Sequence, residues 1–172
     1  FDEYVNTNIR LKGIKIKYNI NQYFLRKVSK KYNLPLKRYK IPINENYFET
    51  IDTADKAYYL GFIAGDGNVR YNKITGGYTL RIELNRKDRK LLEDFRSTIK
   101  SSHNIVDRDR SSEKYDTRFC SYIEISSKKL VFDLVKNSVG FNKSKKLELP
   151  DINHNLMRHY IRGFVDSDGC WH

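Results

Sequence analysis

Two aspartates, Asp66 and Asp168, each stand near the end of a repeated segment. YYLGFIAGDG, residues 58–67, aligns without gaps with YIRGFVDSDG, residues 160–169, and five of the positions are identical. A carboxylate at the C-terminal end of a helix meets the negative end of the helix dipole, and two adjacent carboxylates repel each other. A divalent cation would neutralise both, and few, hard oxygen ligands suit Mg²⁺. This pattern points to metal-assisted hydrolysis of a phosphodiester.

Small residues recur four positions apart in both segments. They are Gly61 and Gly65 in the first segment, and Gly163 and Ser167 in the second. On a helix this spacing places them on one face, where small side chains let two backbones approach closely. The sequence therefore predicts two helices that pack against each other through these four residues. A glycine follows each aspartate, which predicts a sharp exit from the helix.

Simpler interpretations of these residues fit less well. An isolated Asp-Gly pair usually only forms a turn, but the gapless repeat favours a functional site. A calcium loop fails because its first ligand position would be Phe164. Cys120, Cys170 and the four histidines show no zinc-binding spacing.

Composition favours a nucleic acid as the partner. The chain has 172 residues, and 33 Lys+Arg against 21 Asp+Glu give a net charge of +12. The 13 Tyr and 9 Phe argue against a disordered chain. No apolar run is long enough to span a membrane. Two cysteines indicate a reducing setting, so we expect an intracellular, cytoplasmic protein of a bacterial or phage-infected host, with an organelle as the alternative.

The secondary structure predicted around the two aspartates is that of an α+β domain. A connector at 41–52 precedes a helix that begins near Ala54, and hydrophobic periodicity indicates the rest. In order, these are strands at 68–71 and 78–84, a helix at 88–100, strands at 104–108 and 117–126, and helices at 127–139 and 153–166. The helix at 127–139 should bury Leu130, Val131, Leu134 and Val135 and end at Gly140. We expect the helices to cover one face of the sheet.

The most basic region lies at the N-terminus. Eleven Lys+Arg against four Asp+Glu place +7 in the first fifty residues. Helical spacing at 21–32 puts apolar residues on one side and basic residues largely on the other. Residues 1–44 therefore form either a helix-turn-helix-like DNA-binding segment or a solvated basic helix.

Basic residues also follow the predicted strands. They could form an ordinary solvated face, but in a chain of this charge we favour contact with DNA. The candidates are Arg70, Lys73, Arg81, Arg108, Arg110 and Arg118.

The two segments resemble the paired signature of LAGLIDADG homing endonucleases, with residues 59–67 and 161–169 in the nine motif positions. The stretches 49–68 and 141–169 are similar to free-standing phage or intron members. The resemblance implies an αββαββα half-domain with an antiparallel, DNA-binding saddle sheet at 45–152. A second half-domain would begin at 153–172 and be incomplete, so we expect the 172-residue chain alone to bind DNA without cutting both strands.

By the same resemblance, the complete protein would be a monomeric, site-specific endonuclease. It would make double-strand breaks at a long, non-palindromic DNA target, with Mg²⁺ as the cofactor. The family's metal-binding, catalytic acids match Asp66 and Asp168, with the backbone of Gly65 and Ser167 as further metal contacts. Ala64 replaces an acid at the sixth motif position, where Asp166 keeps it.

Two alternatives remain open. One is a non-cleaving DNA-binding protein of the same fold, a maturase or a transcription regulator, although the retention of both acids favours the nuclease. The other is a nuclease embedded in an intein, for which the sequence shows no splicing blocks.

Overall fold

The computed structural model describes residues 19, 21–33, 40–74, 76–109, 119–141 and 148–168. The chain divides into two compact units, Phe1–Ile41 and Pro42–His172. In the first unit, helix α1 spans Gln22–Lys31, and the Asn21 side chain caps it by accepting a hydrogen bond from the Tyr23 amide at 2.9 Å. A helix-turn-helix needs a further helix, and the rest of the predicted segment lies largely outside the described residues.

The second unit is an α+β domain, and its elements follow the predicted order. Four strands form one antiparallel sheet in the order β1-β2-β4-β3. The elements are α2 (Ala54–Asp66), β1 (Gly67–Asn72), β2 (Gly77–Asn85), a 3₁₀ turn (Arg86–Asp88), α3 (Arg89–Thr98), β3 (Ile105–Asp109), β4 (Phe119–Ser126), α4 (Lys128–Lys136) and α5 (His154–Asp168).

Alternation along β2 separates the two faces of the sheet. Leu80, Ile82 and Leu84 are buried on the inner face, as the sequence predicted, and the residues between them face outward and are partly exposed. Helices α2, α3 and α4 contribute to the same core. Their fully buried side chains include Leu60, Ile63, Leu92, Phe95, Leu130 and Leu134.

Helix α4 differs from its prediction at its C-terminal end. It ends at Lys136, before Gly140, because the Asn137 side chain donates to the Asp133 carbonyl at 2.8 Å and to the Phe48 carbonyl at 3.0 Å. Val135, predicted to point inward, is exposed. The buried position goes instead to Asp133, whose charge is compensated by the Lys129 ammonium at 2.7 Å.

The predicted connector before α2 is part of the core rather than a simple linker. We call residues 42–50 the strap. Its Asn44 amide donates to the Ile99 carbonyl at 2.9 Å, and its Glu45 carboxylate accepts from the Ser127 hydroxyl at 2.6 Å. Phe48 is fully buried. The strap therefore joins α3 to the start of α4. Within the described residues, no helix combines the length and apolar character that crossing a membrane requires.

Candidate active site at a helix crossing

Helices α2 and α5 meet at Gly61 without room for a side chain. A Cβ atom added to Gly61 would overlap the carbonyl group of Tyr160 and lie 2.9 Å from the amide nitrogen of Phe164. Because both neighbours are backbone atoms, they cannot rotate away. The two helix backbones are in direct contact at this position.

Gly163 occupies the equivalent place on the other helix. A Cβ atom there would overlap the carbonyl group of Tyr58 and lie 3.0 Å from the amide nitrogen of Phe62. Tyr58 and Phe62 are the repeat equivalents of the two residues that face Gly61. The crossing is therefore locally symmetric, with each glycine under the tyrosine carbonyl of the other helix.

The other two small residues lie one turn beyond the crossing. Gly65 and Ser167 are both half-buried. The Ser167 hydroxyl donates to the Phe164 carbonyl of its own helix at 2.8 Å, which occupies its polar group within α5. The contact at Gly61 and Gly163 is thus confirmed, whereas a contact through Gly65 and Ser167 stays a prediction.

The two helices end on the acids that the sequence singled out. Asp66 is the last residue of α2 and Asp168 the last of α5. Strand β1 begins at the residue after Asp66, so no linker separates this acid from the sheet. Among the residues the structure describes, no group of three or more His, Cys, Asp and Glu side chains forms a metal cluster. Gly169 lies outside the described residues.

Gly67 gives the sharp exit from α2 that the sequence predicted, but not through a left-handed backbone. Its φ of −71° and ψ of 147° are extended backbone, open to any residue, and not a left-handed exit. A Cβ atom at this position would instead lie 2.6 Å from the Ile63 carbonyl oxygen. The glycine is required because α2 turns directly into β1 and the strand starts against the last turn of the helix.

Sequence reasoning missed a polar cluster on one side of the crossing. The Arg162 guanidinium lies 4.8 Å from the centre of the Tyr58 ring. Burial, followed by hydrogen bonding with the Asp166 carboxylate, raises the pKa of Tyr58 to about 12. The repeat alignment contained a signal for this cluster, because it pairs Arg162 with Leu60 and Asp166 with Ala64.

The residues that the repeat pairs with Arg162, Asp166 and Tyr58 are buried. Leu60, Ala64 and Tyr160 are all almost inaccessible to solvent. Burial raises the pKa of the Tyr160 hydroxyl as well. The crossing is therefore symmetric in its backbone contacts and asymmetric in the side chains around them.

Three of the six predicted DNA-binding residues share the outer face of the sheet. Strand register places Arg70 on β1, Arg81 on β2 and Arg108 on β3 with their side chains on the side opposite the core. The remaining three are Lys73, exposed in the β1–β2 turn, and Arg110 and Arg118, which lie outside the described residues.

The charge of Arg81 is compensated by neighbouring side chains. Its guanidinium is 2.5 Å from the Glu83 carboxylate and 3.8 Å from that of Glu124, and it lies 3.9 Å from the centre of the Tyr122 ring. Arg70 is exposed, and its Nε donates to the Asn68 side chain at 2.7 Å. The outer face therefore carries charges of both signs.

No family model matches the sequence. One relative is the uncharacterized protein MJ0398 of Methanocaldococcus jannaschii, which is 28% identical over 132 residues. The matched region covers 74% of this chain and 44% of that protein, so the chain spans less than half of its relative's length. The name of the relative carries no activity, and the function has to be inferred from the chain itself.

Proposed function

We propose that the protein is a DNA endonuclease of the LAGLIDADG type, which hydrolyses phosphodiester bonds at a long, non-palindromic duplex target. The observation that carries this proposal is the symmetric crossing of α2 and α5, in which Gly61 and Gly163 bring the two backbones into contact. Both helices end on an aspartate, Asp66 and Asp168. Repeated glycines without repeated acids would need only a structural explanation.

The donor chemistry at the two helix ends fits Mg²⁺. This cation commonly binds through one or two carboxylates and keeps several waters, so it does not need a larger protein cluster. Asp66 and Asp168 would hold it, together with the carbonyl groups of Gly65 and Ser167. Bound there, Mg²⁺ would supply a Lewis acid for the phosphoryl oxygen and lower the pKa of a coordinated water.

The chain's own residues would position the DNA. The crossing brings the two helices close together, because glycine at positions 61 and 163 lets backbone meet backbone. Asp66 adjoins β1, so a duplex on the outer face of the sheet would have a fixed relation to this acid. Among the residues that the structure describes, Arg70 and Arg108 are the exposed cations of that face. They would contact phosphates, whereas the charge of Arg81 is already compensated.

The decisive experiment separates binding from cleavage in the protein made from the complete reading frame. Duplexes are first selected from a random pool by binding in a metal chelator, and the selected duplexes are then incubated with Mg²⁺. We expect cleavage of both strands by the parent protein. Asp66→Asn and Asp168→Asn should each abolish cleavage and keep binding, because the metal ligand is lost and the phosphate contacts stay.

Asp151→Asn is the matched control, because it removes the same charge from an exposed aspartate outside the crossing. It should cut like the parent. Undiminished cutting by either of the other two variants would contradict the assignment of the acids. Selected duplexes that the parent binds and never cuts would favour the alternative, a non-cleaving DNA-binding protein of the same fold.

Salt dependence tests the role of the outer face. Arg70→Ala and Arg108→Ala should each reduce the slope of log K against log salt by about 0.9, the value for one lost phosphate contact. Arg81→Ala should change the slope less, because Glu83 and Glu124 already neutralise its charge. Equal slopes for all three variants and the parent would place the duplex on another surface.

A further inference from the structure

Four aromatic rings form a continuous surface cluster that the proposed nuclease site does not use. We call it the aromatic patch, and its members are Tyr71, Tyr78, Phe132 and Phe141. The centre of the Tyr78 ring lies 4.8 Å from that of Tyr71, 5.1 Å from that of Phe132 and 6.4 Å from that of Phe141. Tyr78 is half-buried, and the three rings around it are 47%, 48% and 43% exposed.

Tyr78 packs against the core, whereas the three exposed rings around it are not needed to fill the core. Helix α4 fills the core with Leu130, Val131 and Leu134, which are fully buried, while Phe132 points away from them. Contiguous exposed apolar surface is unfavourable in water and commonly marks a binding site. The aromatic patch is therefore a candidate binding site.

The charges beside the patch are positive. On α4, Lys128, Phe132 and Lys136 follow one another at intervals of four, which places them on one side of the helix. The Lys128 ammonium lies 5.5 Å from the centre of the Phe132 ring. The acidic residue of α4, Asp133, is buried and bound by Lys129. An occupant should therefore combine flat apolar groups with negative charge.

Tyr71 pairs with Tyr78 on the inner face of the sheet, so the patch lies at the β1 edge. Its Tyr71 end also lines, with Arg70, Thr79 and Glu124, a cleft of about 550 Å³ on the outer side. A strand that leaves a duplex on the outer face would reach the rings through this cleft.

We propose that the aromatic patch binds unpaired nucleotides of single-stranded DNA. The bases would stack on the exposed rings of Tyr71, Phe132 and Phe141, and the phosphates would meet Lys128 and Lys136. Aromatic platforms flanked by cations bind single strands in this way without strong sequence preference. The choice of DNA over RNA rests on the proposed function, because the outer face that adjoins the patch is assigned there to duplex DNA.

The test compares two fluorescent oligonucleotides that carry the same number of phosphates, an oligothymidylate and an abasic strand of equal length. Anisotropy titrations with the full chain are run at raised salt, which screens the phosphate attraction. We expect the parent to prefer the oligothymidylate about tenfold, since stacking requires bases. Phe132→Ala and Phe141→Ala should each weaken oligothymidylate binding at least about fivefold and leave the abasic strand unaffected.

Phe119→Ala is the matched control, because Phe119 is a 53% exposed phenylalanine at the start of β4 without a ring partner in the patch. It should keep the full preference for bases, as should Phe132→Tyr, which retains the ring. Circular dichroism spectra establish that each variant is folded.

Four outcomes would overturn the inference. Two concern the oligothymidylate: the parent binds it no more tightly than the abasic strand, or Phe119→Ala weakens its binding as much as Phe132→Ala does. The other two are tighter binding of an oligouridylate of the same length, and self-association of the parent that Phe132→Ala abolishes without changing strand binding. The same variants are titrated with a duplex. Failure of the protein from the complete reading frame to bind any duplex would contradict the proposed function. A parent protein that binds duplex but shows no preference for bases over the abasic strand would contradict the inference alone.

Discussion

Helices α2 and α5 carry the same motif in different surroundings. Helix α2 buries residues all round, from Leu60 to Ala64, between the sheet and its partner helix. At the equivalent positions of α5, Arg162 and Asp166 are exposed. Two helices with identical glycine, tyrosine and phenylalanine positions thus meet through one interface and differ on their other faces.

The comparison separates two kinds of information in the repeat. The identical positions Tyr58 and Tyr160, and Gly61 and Gly163, are those that make the reciprocal backbone contacts. The positions that differ record what lies beside each helix: core for α2, and solvent or a polar neighbour for α5. The shared tyrosines and glycines therefore report the crossing, and the positions that differ report the surroundings of each helix.

The largest expected effect comes from filling the crossing. Gly61→Leu and Gly163→Leu should each lower the free energy of unfolding by about 3 kcal/mol or more, the upper end for overpacking, because the obstacles are backbone atoms. Urea denaturation measures the loss. Gly140→Leu is the control, since a Cβ atom there meets nothing within 4 Å. Unequal losses for the two crossing variants would break the proposed symmetry.

The next effect tests the asymmetry around the crossing. Ala64→Asp, which copies the acid of the second motif into the first, should cost about 3 kcal/mol, because it places an unpaired charge at a position only 3% exposed. The reverse change, Asp166→Ala, should cost less than about 1 kcal/mol at its exposed site. Thermal melting of the two variants measures the difference. Similar melting temperatures would show that the surroundings of Ala64 and Asp166 are equivalent.

Titration of Tyr58 gives a smaller effect with a defined sign. Its pKa is raised from the ordinary value of 10 to about 12, so the unfolded chain loses this proton first as the pH rises. The contribution is complete below pH 10 and is lost as the pH rises through about 12. Tyr58→Phe should therefore flatten the fall in stability in this range. An unchanged alkaline profile would show that Tyr58 titrates normally.

The smallest effect on stability is expected at Arg162, the cation of the polar cluster beside the crossing. Arg162→Leu restores the residue type of the first motif, and at this exposed position it should change the free energy of unfolding by no more than about 0.5 kcal/mol. Leu60→Arg should be strongly destabilising, because Leu60 is fully buried. Equal melting temperatures for these two variants would contradict the burial difference between the helices.

Local patterns predicted the elements and the crossing glycines. Alternation along β2 placed Leu80, Ile82 and Leu84 on one face, and spacing of four placed Gly61 in a helix contact. These features depend on neighbours within one or two turns. The nuclease function stays a prediction, since it depends on chemistry at Asp66 and its equivalent acid.

Features that depend on distant partners were missed. The compensation of Arg81 by Glu124 requires the register of β2 against β4, which no local pattern contains. Asp133 is buried in place of Val135 beside Lys129, whose ammonium also lies 3.4 Å from the Glu49 carboxylate of the distant strap. The extended backbone of Gly67 follows from the way α2 joins β1, whereas the sequence predicted the sharp exit without its conformation.

The strap also affects the order in which the domain folds. Its bonds from Glu45 to Ser127 and from Phe48 to Asn137 span 82 and 89 residues of sequence. Contacts this distant require closure of a long loop before they give any stabilisation, which slows folding. We expect the strap to dock only after the sheet and α4 have formed. During synthesis, Phe48 would stay without its burial site until the ribosome has made nearly ninety further residues.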